Sequence, residues 1–359
     1  MMSIMHSTAS SYASEPAVPI LAHSLLRHDV TTGYQQSTVS APQDSIPSRR
    51  GWNLEHDIKG GSEYPLTGVF RPGTVIGFSC KKNISKEGDD HDHVGQVWKS
   101  HIRLRNQTRS FKNQPLIYTV QIPRYLLAAR LRKSTRGPNI NPSAYIIYPA
   151  HFDAFSPEKL LESLLSASQS PALSRSEAIS CLDSVHLIPV FDFPAASQAI
   201  HQIADSLSHQ QDQNVTLIIA GLDGLTEGVI RTSNAVRGAA ILTSVLRTLT
   251  QLSRTHSTYL SIMLVNTSGL GQLAPSHNHR PSTDDNHHHS TADDGSIHSI
   301  FRASGAPLFP NLLAKTLDQG IDTHLLLSVV RGQDRVVEVI KDRVGDGVGK
   351  WCVWRGGNR

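Results

Sequence analysis

Apolar positions in this chain fall into short runs separated by polar stretches, and the most regular of them lie between Val215 and Gly271. Val215 to Ala220 (VTLIIA) is an apolar, β-branched run bounded by Asn214 and Gly221, the pattern of a strand buried on both faces of a parallel sheet. After a glycine-containing turn, Leu242, Val245, Leu246, Leu249 and Leu252 recur at helical spacing, with Arg237, Arg247, Thr250 and Arg254 off that stripe. A second apolar run follows from Tyr259 and ends in the polar tip Asn266-Thr267-Ser268. Strand, crossover helix and strand predict a βαβ unit, and in such sheets ligands sit beyond the carboxyl ends of the strands. Function is therefore expected at Gly221 to Glu227 and at Asn266 to Gly271.

The flanking pattern extends this unit. Residues 1–58 are rich in Ser, Thr, Pro and Gln and predict a disordered N-terminal arm, leaving a core domain at 59–355. Thr74 to Phe78 reads as the first core strand. Cys80 to Gln114 then shows no sustained period of strand or helix and reads as a polar insertion. Pro115 to Arg132 is a helical pattern broken at Pro123, and Ala144 to Tyr148 a second buried strand. Ser156 to Ser168 is an amphipathic helix with Ser156 as N-cap, Val185 to Phe193 an edge strand carrying Pro189, and Pro194 to Ser208 a helix. Gln272 to Ser299 forms a second polar insertion of low complexity. Beyond a short helix before Leu317, His324 to Val330 and Arg335 to Ile340 read as an antiparallel hairpin turning at Gly332-Gln333-Asp334, with Lys350 to Trp354 as the last strand. The fold class expected is α/β, a mostly parallel sheet flanked by helices and closed by a C-terminal antiparallel hairpin.

Composition narrows the function classes only a little. The 359 residues carry 34 Lys+Arg against 30 Asp+Glu, a formal charge of +4, which permits nucleic-acid contact without arguing for it. Cys80, Cys181 and Cys352 have no paired metal spacing, so a reducing compartment is expected. No apolar run reaches the length of a membrane span, and no membrane partner is expected.

Four stretches carry a resemblance to a known family. LTGVFRPGTVIGFS, VTLIIAGLDGL, SIMLVNTSGLG and the span from Leu308 to Trp354 resemble, in that order, segments of the ATPase core shared by RecA and the eukaryotic strand-exchange recombinases. In particular the chain resembles a divergent, fungal-type paralogue of that family. The resemblance covers Gly60 to Trp354 and implies a RecA-like P-loop NTPase core. It also implies ATP and Mg²⁺ as cofactors, other recombinase-family subunits as partners, DNA contact through a complex, and a nuclear location. Carried over residue by residue, it places nucleotide contacts at Gly77, Ser79, Asp223 and Asn266, and DNA or partner contacts at Arg237, Arg247, Lys341 and Arg343.

The departures from the family pattern bear on catalysis. No G-x-x-x-x-G-K-[ST] loop occurs, and the strand that should end in a Mg²⁺-ordering acid ends at Ala220. Asp223 is read either as a displaced metal-site acid or as a residue stabilising the turn Leu222-Asp223-Gly224. Ser79, Lys81, Lys82 and Lys86 are read either as a makeshift phosphate site or as a surface charge run. The histidines between His277 and His298 lack the fixed spacing of a metal site, so no metal ligand and no catalytic residue is assigned. Without the loop lysine and the strand-end acid, phosphoryl transfer loses most of its charge stabilisation.

Three functions are weighed. The first is an accessory recombinase paralogue with impaired ATP hydrolysis, acting in homologous recombination and DNA repair. The second is a DNA-stimulated ATPase whose phosphate loop is obscured by translated intron or a misjoined exon at Cys80 to Gln114. The third is a RecA-like scaffold subunit of a complex with no DNA role.

Overall fold

The computed structural model describes residues 52–54, 57–58, 68–81, 114–134, 142–166, 172–208, 214–270, 297, 299, 308–309, 311–329 and 335–354. The chain divides between Arg50 and Gly51 into two units, and the first lies outside the described residues. The expectations for the N-terminal arm as far as Gly51, for 82–113, for most of Gln272 to Ser299 and for the turn at Gly332-Gln333-Asp334 also fall outside them.

The second unit is built on one eight-stranded sheet in the order β3-β2-β4-β5-β1-β6-β7-β8. Its strands are β1 Val75–Cys80, β2 Ser143–Pro149, β3 Val185–Val190, β4 Val215–Ala220, β5 Leu260–Val265, β6 Thr323–Val329, β7 Arg335–Asp342 and β8 Trp351–Trp354. From β3 to β6 all neighbours are parallel, and β6, β7 and β8 pair antiparallel. This is the expected mostly parallel sheet with a closing hairpin.

Side chains alternate across the strands and so divide the core in two. Ile218 and Ala220 of β4, Met263 and Val265 of β5, and Ile76 and Phe78 of β1 face one layer. That layer holds α1 (Gln114–Ser134), α2 (Pro157–Ser166) and α3 (Arg175–Leu182). Leu217 and Ile219 of β4 and Ile262 and Leu264 of β5 face the other. It is made by α4 (Phe193–Leu207), α5 (Leu222–Thr232), α6 (Ala235–Thr255) and α7 (Leu312–Gln319).

Several boundaries differ from the expectation. Leu54 and Ile58 are buried in the core, and Trp52 stacks on Phe70 with ring centroids 6.4 Å apart, so the core begins before residue 59. Cys80 belongs to β1 and pairs with Leu327, while Gln114 opens α1, so neither end of the polar insertion lies where its composition put it. Helix α1 runs through Pro123, because Val120, Ile122, Leu126, Leu127 and Leu131 are all buried against the sheet. That burial offsets the roughly 3 kcal/mol cost of an interior proline. The turn expected after β4 is instead α5, whose Leu222, Leu225, Thr226 and Val229 follow helical spacing around two helix-weakening glycines. Helix α3 was not anticipated, although Ser174 and Glu177 form a full capping box at its start.

Candidate functional site

Two features bring together Gly77, Ser79, Asp223, Asn266 and Lys341 of the sequence-predicted residues. The first is a buried polar chain that crosses β5, β1, β6 and β7. Asn266 Nδ2 donates to Ser79 Oγ at 2.7 Å, and Ser79 Oγ lies 2.8 Å from His324 Nε2. His324 Nδ1 lies 2.9 Å from Asp318 Oδ1, and Lys341 Nζ donates to Asp318 Oδ2 at 2.9 Å. One donor order satisfies every group: the Ser79 hydroxyl donates to Nε2, and Nδ1–H donates to Asp318. Ser79 and His324 are fully buried, and Asn266, Lys341 and Asp318 are between 4% and 9% exposed.

Burial alone would raise the Asp318 carboxyl, but the hydrogen bonds from His324 and Lys341, together with the Lys341 charge, outweigh it and hold Asp318 below the usual aspartate range. Burial pushes the Lys341 ammonium below its ordinary value, with Asp318 opposing. Gly77 stands beside this chain for a steric reason: a Cβ there would overlap Ile321 Cδ1.

The second feature is a cleft of about 1370 Å³ across the carboxyl ends of β2, β4 and β5. It opens where the chain diverges. From β2 the connection runs through α2 and α3 on one face to β3, and from β4 it runs through α5 and α6 on the other face to β5. Such a switch point leaves a crevice between neighbouring strands. Gly221 holds its two walls close, since its φ is +71° and a Cβ would sit 2.6 Å from Pro149 Cγ. Gly221, Gly224, Leu225, Glu227 and Thr267 line the cleft, and all five fall within the two stretches, Gly221 to Glu227 and Asn266 to Gly271, that the sequence pattern singled out.

Asp223 links the two features. It lies in the first turn of α5, 2% exposed, and its carboxylate accepts from Thr267 N at 2.8 Å, from Thr267 Oγ1 at 3.1 Å and from Ser268 N. Its oxygens thus tie the start of α5 to the tip of β5. The local turn at Leu222-Asp223-Gly224 is not what it stabilises, because those residues are helical.

The basic residues do not converge. Lys341 is interior, whereas Arg237 and Arg247 are exposed on α6 and Arg343 is exposed beyond β7, where its Nη1 donates to Gln319 O at 2.9 Å. Arg247 and Arg254 lie two turns apart on one face of α6. Arg254 is engaged, donating to Gly73 O at 2.6 Å and to Asp322 Oδ1 at 2.8 Å. Sequence reasoning missed His324 and Asp318. Their positions inside an apolar strand and at the end of a short helix offered no periodic signal, although a lone histidine within HLLLSVV was a visible anomaly.

Among the described residues, no group of three or more His, Cys, Asp and Glu side chains is placed to hold a metal ion, and no helix is long and apolar enough to cross a membrane. No protein-family model matches this chain, and no curated protein matches it. The class the structure defines is an α/β protein with an eight-stranded, mostly parallel sheet and a C-terminal antiparallel hairpin.

Proposed function

We propose that the chain is a RecA-like core that serves as an accessory recombinase subunit in homologous recombination and DNA repair, with impaired ATP hydrolysis. It acts in the nucleus beside other recombinase-family subunits and reaches DNA through that complex. The carrying observation is the engagement of the strand-end polar groups with one another. Ser79 and Asn266 are bonded inside the Ser79–His324–Asp318 chain, Asp223 is bonded to the tip of β5, and β4 ends in the fully buried Ala220. Groups held in this way support a fixed interior in place of a Mg²⁺-ATP site, which needs carboxylate and hydroxyl oxygens facing the phosphates. The parallel sheet closed by a hairpin supports the RecA-like reading of the fold. The loop between β1 and α1, where phosphates would be cradled, falls within 82–113, outside the described residues.

The scattered exposed arginines support weak DNA binding by the isolated chain, because affinity for phosphates grows with the number neutralised together. The test pairs two measurements. The purified chain is assayed for Mg²⁺-dependent ATP hydrolysis with and without single-stranded DNA, and the native complex is isolated from cells, identified and assayed for DNA binding. The expected result is no hydrolysis, weak salt-sensitive DNA binding by the chain, and recombinase-family subunits in a DNA-binding complex. Robust hydrolysis would favour the ATPase reading, and a complex that ignores DNA would favour the scaffold.

A further inference from the structure

The outer face of the α6–α7 pair carries cations that lack counter-charges. Helix α6 has no carboxylate along its 21 residues, and its first turn holds Arg237 and no acid, a placement that the positive end of the helix dipole disfavours. Arg237 and Arg247 are exposed, as are Lys315 on α7 and Arg343, whose Nη1 donates to the carbonyl of Gln319. Among the described residues none of these four is ion-paired with an acid, whereas Lys159, Arg231 and Lys350 elsewhere are paired with Asp153, Glu227 and Asp346.

The two helices lie side by side. Each leads into a strand parallel to β1, so they run in the same direction, and Gly320 lets α7 end against Leu246, where a Cβ would come within 2.7 Å of Leu246 Cβ. At their amino ends Val236 and Leu312 are 73% and 49% exposed. Helical spacing puts Val236, Ala240, Thr243 and Arg247 in one row along α6, and Leu312, Lys315 and Gln319 in an exposed row along α7. Both rows begin apolar and continue cationic.

Spaced along a face, these cations suit an extended partner. Arg237 and Arg247 stand about 15 Å apart along the helix, whereas duplex DNA presents a charge about every 1.7 Å and rewards many phosphates neutralised together. So sparse a row matches discrete carboxylates. Between Val236 and Arg247 the row holds only the short side chains of Ala240 and Thr243, which lets a second helix approach to the roughly 8–10 Å of ordinary helix packing. We propose that the α6–α7 face docks an acidic amphipathic helix of a partner protein. Apolar residues of its first turn lie on Val236 and Leu312, and carboxylates beyond them pair with Arg247, Lys315 and Arg343. Arg254, already held by Asp322, takes no part. The surface needs neither ATP nor DNA.

The test uses the purified full chain and, as probe, a capped helical peptide of glutamate and alanine with leucines in its first turn, followed by calorimetry. Saturable binding that weakens with salt is expected. Arg247→Glu combined with Lys315→Glu should lower the affinity about tenfold, through two lost ion pairs and the repulsion that replaces them. Arg247→Gln with Lys315→Gln, which adds no negative charge, should lower it by a smaller factor. Both pairs of changes are at exposed positions and should leave the melting temperature unchanged. Arg175→Glu, exposed on α3 across the sheet, is the control and should leave binding within about twofold. A peptide with alanine in place of its leucines should bind more weakly, and an undiminished affinity there would overturn the amphipathic occupant. Absence of saturable binding up to millimolar peptide would overturn the proposal, as would an equal loss in Arg175→Glu, the mark of general attraction to a basic chain. Short duplex DNA bound more tightly than the peptide, and lost in the same double variants, would also overturn it and assign the face to nucleic acid.

Discussion

Lys341 on β7 is joined to Asp318 at the end of α7 by a 2.9 Å ion pair between side chains only 9% and 12% exposed. The second carboxylate oxygen of Asp318 is taken by His324, so a single carboxylate closes the polar chain that begins at Asn266. Removing it leaves a buried ammonium without its counter-charge. Asp318→Ala is expected to cost about 3–5 kcal/mol in urea unfolding. Asp318→Ala combined with Lys341→Met is expected to recover a large part of that loss, because no charge is then stranded. A double variant no more stable than the single one would show that the ion pair is not what the site needs.

The same carboxylate sets an acid limit on stability. Its folded value is depressed below its unfolded value, so its contribution is fully present above the unfolded value and lost as pH falls through the folded one. The urea midpoint should hold between pH 7 and 5 and decline below about pH 4, the ordinary aspartate range. Asp318→Asn, which cannot ionise, should start lower at pH 7 and show a shallower acid decline. Parallel curves for the two proteins would assign the acid sensitivity to other groups.

Gly77 and Ile321 form a packing pair at the centre of the sheet, with Ile321 fully buried where a Cβ on residue 77 would fall. Gly77→Ala is expected to cost about 1–3 kcal/mol through overpacking. Ile321→Val removes the clashing Cδ1, so the two substitutions together should cost less than the sum of each alone. Strict additivity in thermal melts would place the role of Gly77 elsewhere, in ligand approach.

Asp223 makes its own prediction. Asp223→Ala should expose the Thr267 and Ser268 amides to faster hydrogen exchange and cost about 1–3 kcal/mol, the penalty for donors left without partners. If Asp223 were instead a metal-site acid, Mg²⁺ would raise the melting temperature of the wild-type chain and leave the variant unmoved. The geometry predicts no such difference.

The pattern of residues determined much of the frame. The β-branched run at Val215 to Ala220, the leucine stripe from Leu242 to Leu252 and the closing apolar pair after Thr323 are local signals, because burial on a strand or a helix imposes periods of 2 or 3.6 on the chain itself. The same holds for the position of the candidate site, since Gly221, Asp223 and Asn266 sit at strand ends that the βαβ order already located. Local signals failed where a neighbour overrode them. Pro123 stays helical because the sheet buries its flanks, and α5 forms despite Gly224 and Gly228 because Leu222 has a core to enter. Tertiary structure alone decided the partners of Ser79, which come from residues 245 and 187 positions away, and brought Trp354 beside Tyr125. No period in a chain records such pairs, because hydrogen bonds and ring contacts between distant segments exist only once the sheet has set its strand order.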